Sequence, residues 1–156
     1  MAIIEGYTFE LLMACIIATA VISDAIASNR PCAKKEAIAA EAVASTAKTW
    51  QQLHQQFMRY RNCDDGAIAE GFSEAISLLL VKQWGDIHTL DILGRSDPVF
   101  RKFVIHHIDE TVPAERWAHI KKYASMQCPR NSKILCRDIE LAINAMPEVK
   151  SESNGN

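Results

Sequence analysis

The chain has 156 residues, 49% of them hydrophobic and 23% charged, enough to bury one globular core and unlike a chain kept disordered by its composition. Against 19 Asp and Glu stand 17 Lys and Arg, a formal net charge of -2, so no broad basic field marks a nucleic-acid-binding protein. Six Gly and five Pro are few for a turn-rich β-fold, and abundant Ala, Leu, Ile, Glu and Lys favour helix.

Residues 11–23, LLMACIIATAVIS, carry no charge and are followed by Ala25-Ile26-Ala27, an A-x-A pattern. That order matches a secretory signal peptide over residues 1–27, an apolar stretch of roughly 7 to 15 residues and then a small-residue cleavage site. The usual positive n-region is missing, and Glu5 and Glu10 stand in its place. A membrane-spanning helix needs about 20 apolar residues, more than this stretch supplies. The competing reading is a cytosolic helical interaction protein whose apolar N-terminal helix packs into its core. Leu12-Met13-Ala14-Cys15 has the form of a lipoprotein box, but the apolar run continues past Cys15.

Cleavage after Ala27 would take away Glu5, Glu10, Asp24 and Cys15, leaving a nearly neutral chain with Cys32, Cys63, Cys128 and Cys136. An even set of cysteines in an exported chain predicts two disulfides. The expected location is periplasmic or secreted, with no stable membrane insertion after cleavage.

Residues 34–61, KKEAIAAEAVASTAKTWQQLHQQFMRYR, contain no Gly or Pro. Ile38, Ala42, Ala47, Trp50, Leu53, Phe57 and Tyr60 recur at helical spacing, which predicts one long amphipathic helix. Asp64 or Asp65 opens a second helix to about Trp84, its inward side carrying Ile68, Phe72, Ala75, Ile76, Leu79 and Leu80 and its end set by Gly85. Ala67, Gly71 and Ala75 form a small-residue stripe that lets another backbone come close. The stretch DIHTLDILGRSDP predicts one or two helical turns stopped at Gly94.

Asp97-Pro98 is a cap followed by proline at the first helical position. Val99, Phe100, Phe103, Val104 and His107 are expected to face inward after it. Thr111-Val112-Pro113 opens another helix with Trp117, Ile120 and Tyr123, and Asn131 or Ser132 caps the last, with Ile134, Leu135, Ile139, Ala142 and Ile143. Residues 148–156 are a polar tail without apolar anchors, expected to be disordered. The expected fold is all-α: a single compact domain of about five helices over residues 28–147, with short loops and disulfide stabilisation.

A continuous helix over 34–61 would span on the order of 40 Å, whereas bridged Cα atoms lie roughly 4.4 to 6.8 Å apart. Cys32 and Cys63 flank it and cannot pair unless it is broken. With all four cysteines bridged, Cys63 then pairs with Cys128 or Cys136 and Cys32 with the other. A local Cys128–Cys136 bridge with two free thiols is the alternative.

Chemistry-bearing patterns are sparse: no G-x-S-x-G, P-loop, G-x-G-x-x-G or C-x-x-C occurs. Asp64 and Asp65 fit a helix start, while Glu70 and Glu74 share a helix face and could in principle hold a cation or move protons. Adjacent His106 and His107 point about 100 degrees apart on a helix and lack a zinc motif's i, i+4 spacing; with Asp109 they form the best metal candidate. No catalytic residue and no cofactor is implied. The function expected is protein binding without catalysis, as in an inhibitor or immunity protein against a secreted or periplasmic enzyme. The alternative is a metal-binding protein or metal-dependent hydrolase at His106, His107 and Asp109. The expected partner is another protein, met by a polar face of Glu70, Glu74, Asp86, His88 and Arg95.

Overall fold

The apolar stripe expected to run unbroken over residues 34–61 is cut in two. In the computed structural model, which describes residues 30–146, α1 covers Lys34–Glu41 and α2 covers Trp50–Tyr60. The expected leader over 1–27 and tail over 148–156 lie outside the described residues. The break has a local cause. Thr46 Oγ1 donates to Val43 O at 2.8 Å, and Thr49 Oγ1 accepts from the Gln52 N–H at 3.2 Å as the N-cap of α2. Gln52 in turn accepts the Lys48 N–H at 2.8 Å, a near relative of the capping box.

The break overturns the expected cysteine pairing. With the chain reversed between α1 and α2, Cys32 and Cys63 meet at a Cα separation of 4.9 Å and are bridged. Cys128 and Cys136 form the second bridge, Cα atoms 6.1 Å apart. No thiol among these four is free.

Beyond α2 and a short turn at Arg61–Cys63, α3 runs Gly66–Lys82, α4 Ile87–Ser96, α5 Pro98–His106, α6 Ala114–Met126 and α7 Lys133–Ala145. Among the described residues the fold is all-helical, with seven α-helices and no strand. The expected five become seven because the first helix is split and α4 passes through Gly94. Gly94 does not stop α4. It gives α5 room, since a Cβ there would lie 3.1 Å from the Arg101 Cβ. Gly71 does the same on α3, where a Cβ would come within 2.8 Å of Ala44 Cβ. The expected close-packing role of the small stripe is met at Gly71 and at buried Ala75, whereas Ala67 is exposed.

Asp65 caps α3 by accepting the Gly66 N–H at 2.8 Å, and Asp97 caps α5 by accepting from Val99 and Phe100 at 3.1 and 3.0 Å. The core forms where α2, α3 and α5 face one another. Phe57, Phe72, Phe100 and Phe103 are buried, and Phe103 lies 4.8 Å from Phe57 and 5.1 Å from Phe72 between ring centroids. Each buried ring contributes roughly 1.5–3 kcal/mol from apolar burial. Trp50 and Trp117 are buried as expected and Trp84 is buried too, while Ile38, Val99 and Ile134, expected inward, are 61%, 55% and 66% exposed.

Candidate functional site

A buried polar cluster sits where the start of α3 meets the turn after α5. His107, last inward residue of the α5 segment, is 2% exposed and packs edge-on to Phe103 with ring centroids 4.4 Å apart. Its Nε2 lies 3.1 Å from Asp64 Oδ2, and its Nδ1 lies 3.0 Å from Ser73 Oγ. Ser73, fully buried on α3, donates to Asp109 Oδ2 at 2.6 Å. Thr111 donates its N–H and hydroxyl to Asp109 Oδ1 at 2.9 and 2.5 Å, and Trp117 Nε1–H donates to the Asp109 carbonyl at 2.8 Å.

A hydroxyl has one proton, and the short contact to Asp109 uses it. The Ser73 oxygen therefore turns lone pairs toward Nδ1. The imidazole thus bridges the Ser73 hydroxyl and the Asp64 carboxylate. Burial pushes the Asp109 carboxyl up, but the hydrogen bonds from Ser73 and Thr111, together with the charge of His107, outweigh it and hold it below the ordinary aspartate value.

Serine, histidine and aspartate at hydrogen-bond distance is also the pattern of an activated nucleophile. Here the hydroxyl is 0% exposed and already donates to Asp109, with the Ala69 carbonyl 3.2 Å away, so no substrate carbonyl reaches it. The cluster acts as a lock: it ties the residue after Cys63, the middle of α3 and the α5–α6 turn together. Ser73 has no histidine at helix-neighbour spacing in the sequence. The partner is 34 residues away, and the available signal was a serine on the inward face beside Phe72.

A second cluster joins α4, α5 and α7. Asp91, 3% exposed, is bonded by Arg95, and the Arg101 Nη1 lies 3.9 Å from it. Arg101 donates to Asp138 Oδ2 from Nη2 at 2.7 Å and from Nε at 3.3 Å, and Arg95 also donates to the Asn131 carbonyl at 2.6 Å. His54 and Asp97 pair at 2.9 Å. Burial raises the Asp97 carboxyl, and the His54 hydrogen bond, the Phe100 and Val99 N–H groups and the His54 charge bring it below its ordinary value.

The structure uses several of the expected binding-face residues internally. Glu74 accepts from Arg116 Nη1 at 2.5 Å, and the same guanidinium donates to Ser77 at 2.8 Å. Asp86 accepts from the Thr89 hydroxyl at 2.6 Å and lies 3.5 Å from His88. Arg95 is held by Asp91. Glu70 is exposed. Asp86 precedes α4 and Arg95 stands in its last turn, on the order of 12 Å apart along the axis.

His106 and His107 also go separate ways. His106 is exposed and lines a groove between α5 and α7, whereas His107 and Asp109 join the buried lock. Among the described residues no group of three or more His, Cys, Asp or Glu side chains could hold a metal ion. None of the described helices is long and apolar enough to cross a membrane.

The groove beside His106 is the other notable feature. Its volume is about 450 Å³, and Pro98, Arg101, Lys102, Ile105, His106 and Asp138 line it with mainly apolar surface. No protein-family model, curated protein or solved structure matches the chain.

Proposed function

We propose that this chain is an exported, disulfide-stabilised helical protein that acts by binding another protein, as an inhibitor or immunity protein does toward a secreted or periplasmic enzyme. The observation that carries this reading is the fate of the polar side chains. Ser73, His107, Asp64, Asp109, Asp91, Arg101 and Glu74 are committed to internal bonds that hold helices together, while apolar side chains are left outside on α5 and α7. Such a surface suits docking better than turnover. Two disulfides fit an oxidising compartment, where cross-links persist, and the A-x-A pattern at Ala25-Ile26-Ala27 fits export.

Two measurements test the reading. Intact mass of protein from its native host is expected to give a chain beginning at Ser28 and lighter than the reduced form by about four hydrogens. A full-length reduced chain overturns export. Affinity capture from the exported fraction of that host is expected to recover one enzyme whose activity falls when the purified chain is added. Capture that returns no stoichiometric partner overturns the binding role.

A further inference from the structure

We infer that the groove between α5 and α7 is the docking site and that its occupant is an acidic amphipathic helix of the partner protein. This deepens the binding reading proposed above and rests on it. The groove has an apolar floor from Pro98, Ile105 and the stems of Arg101 and Lys102. Val99 shares a helix face with Lys102 and His106 at i, i+3 and i+7, and it is 55% exposed. Across the groove, Ile134 and Leu141 stand one turn before and after Asp138 on α7, 66% and 59% exposed. Three of the seven exposed large apolar side chains among the described residues therefore stand within about one helical turn of a residue that lines this depression.

The charges choose the partner. Arg101 and Asp138 neutralise each other within the groove. Lys102 is exposed and forms no ion pair among the described residues, which leaves one uncompensated cation, next to the exposed His106, beside an apolar floor. Its complement is a helix that inserts apolar side chains at i, i+3, i+4 and i+7 and carries carboxylates on the flank. A second copy using the same face would offer Lys102 only Asp138, the one carboxylate lining the groove, which Arg101 already neutralises. The depression near Cys128 and Cys136, about 340 Å³, makes a poorer site: it is mostly polar and mixes Lys133 and Arg137 with Glu140.

The test uses the full oxidised protein, labelled with ¹⁵N, and a synthetic helix of leucines at that spacing with glutamates elsewhere. Amide shift changes are expected at Val99, Lys102, Ile105, His106, Ile134 and Leu141. Lys102→Glu and Leu141→Asp are each expected to weaken binding about tenfold or more at unchanged melting temperature, since both positions are exposed. A probe with lysines replacing the glutamates should not bind. Shifts mapping elsewhere, equal binding of the lysine probe, no binding at millimolar glutamate probe, or self-association through this face would each overturn the proposal. Capture from the native exported fraction separates the two readings. A partner held equally by wild type and by both variants leaves the binding role standing and removes the groove. No partner at all, with the glutamate probe seated in the groove, removes the binding role and leaves the groove.

Discussion

Two hairpins carry the two disulfides, and they use them in opposite ways. In the α1–α2 hairpin the bridge joins Cys32 and Cys63 at the open ends, 31 residues apart, while the turn is shaped by Thr49, Gln52 and the close approach of Ala44 to Gly71. In the α6–α7 hairpin the bridge sits at the closed end, joining Cys128 in the connection to Cys136 in the first turn of α7, eight residues on. A cross-link stabilises chiefly by restricting the unfolded chain, and the restriction grows with the loop it closes. The chain-entropy relation gives about 3.7 kcal/mol for the first bridge and about 2.5 kcal/mol for the second.

The sharpest way to break the comparison is to remove each bridge separately. Urea unfolding of the Cys32→Ser/Cys63→Ser double variant is expected to show a loss of stability about 1 kcal/mol larger than that of Cys128→Ser/Cys136→Ser. Equal losses would mean that the long bridge constrains an unfolded state already compact.

Gly71→Ala attacks the first hairpin without touching sulfur. The added methyl would meet Ala44 Cβ, not a flexible side-chain end, so a cost of about 1–3 kcal/mol is expected with the disulfide intact. The α6–α7 hairpin has no such contact, because among the described glycines none has its nearest neighbours in that hairpin. A neutral Gly71→Ala in thermal unfolding would show that the segment after α1 yields freely.

Between the hairpins, Asp97→Ala removes the cap of α5 and the partner of His54, with an expected cost of about 1–2 kcal/mol by denaturant titration. The smallest effect is acid sensitivity. Asp97 and Asp109 both have folded values below 3.8, so each adds stability that is fully present above 3.8 and is lost as pH falls through the folded value. The melting temperature is therefore expected to hold down to about pH 4 and then fall, less steeply in Asp109→Asn. An unchanged slope in that variant would remove Asp109 from the acid response.

Much of this was legible in the sequence where the signal is local. Asp97-Pro98 marks the start of α5 because cap and fixed φ act within one turn, and Phe57, Phe72, Phe100 and Phe103 declare the core by size and spacing. The break after α1 also had a local signal, Thr49-x-x-Gln52, hidden inside an Ala-rich run whose periodicity suits one helix as well as two. Gly94 is ambiguous without its neighbour, since a helix stop and a close-contact site look alike until Arg101 is placed. The lock of Asp64, Ser73, His107 and Asp109 was not legible, because its members come from three separated segments and only tertiary packing brings them together. For the same reason Ile134 and Val99 read as core residues. Spacing gives a stripe, but not whether another helix covers it.

The pairing of Cys32 with Cys63 and of Cys128 with Cys136 has a consequence for how the protein is made. The four cysteines among the described residues allow three connectivities, and this is the one in which each bridged residue joins its next bridged neighbour along the chain. A chain oxidised in the order in which these cysteines are synthesised joins Cys32 to Cys63 first, and that pair is already the native one. Interleaved partners would instead leave a non-native pair to be reshuffled by thiol–disulfide exchange.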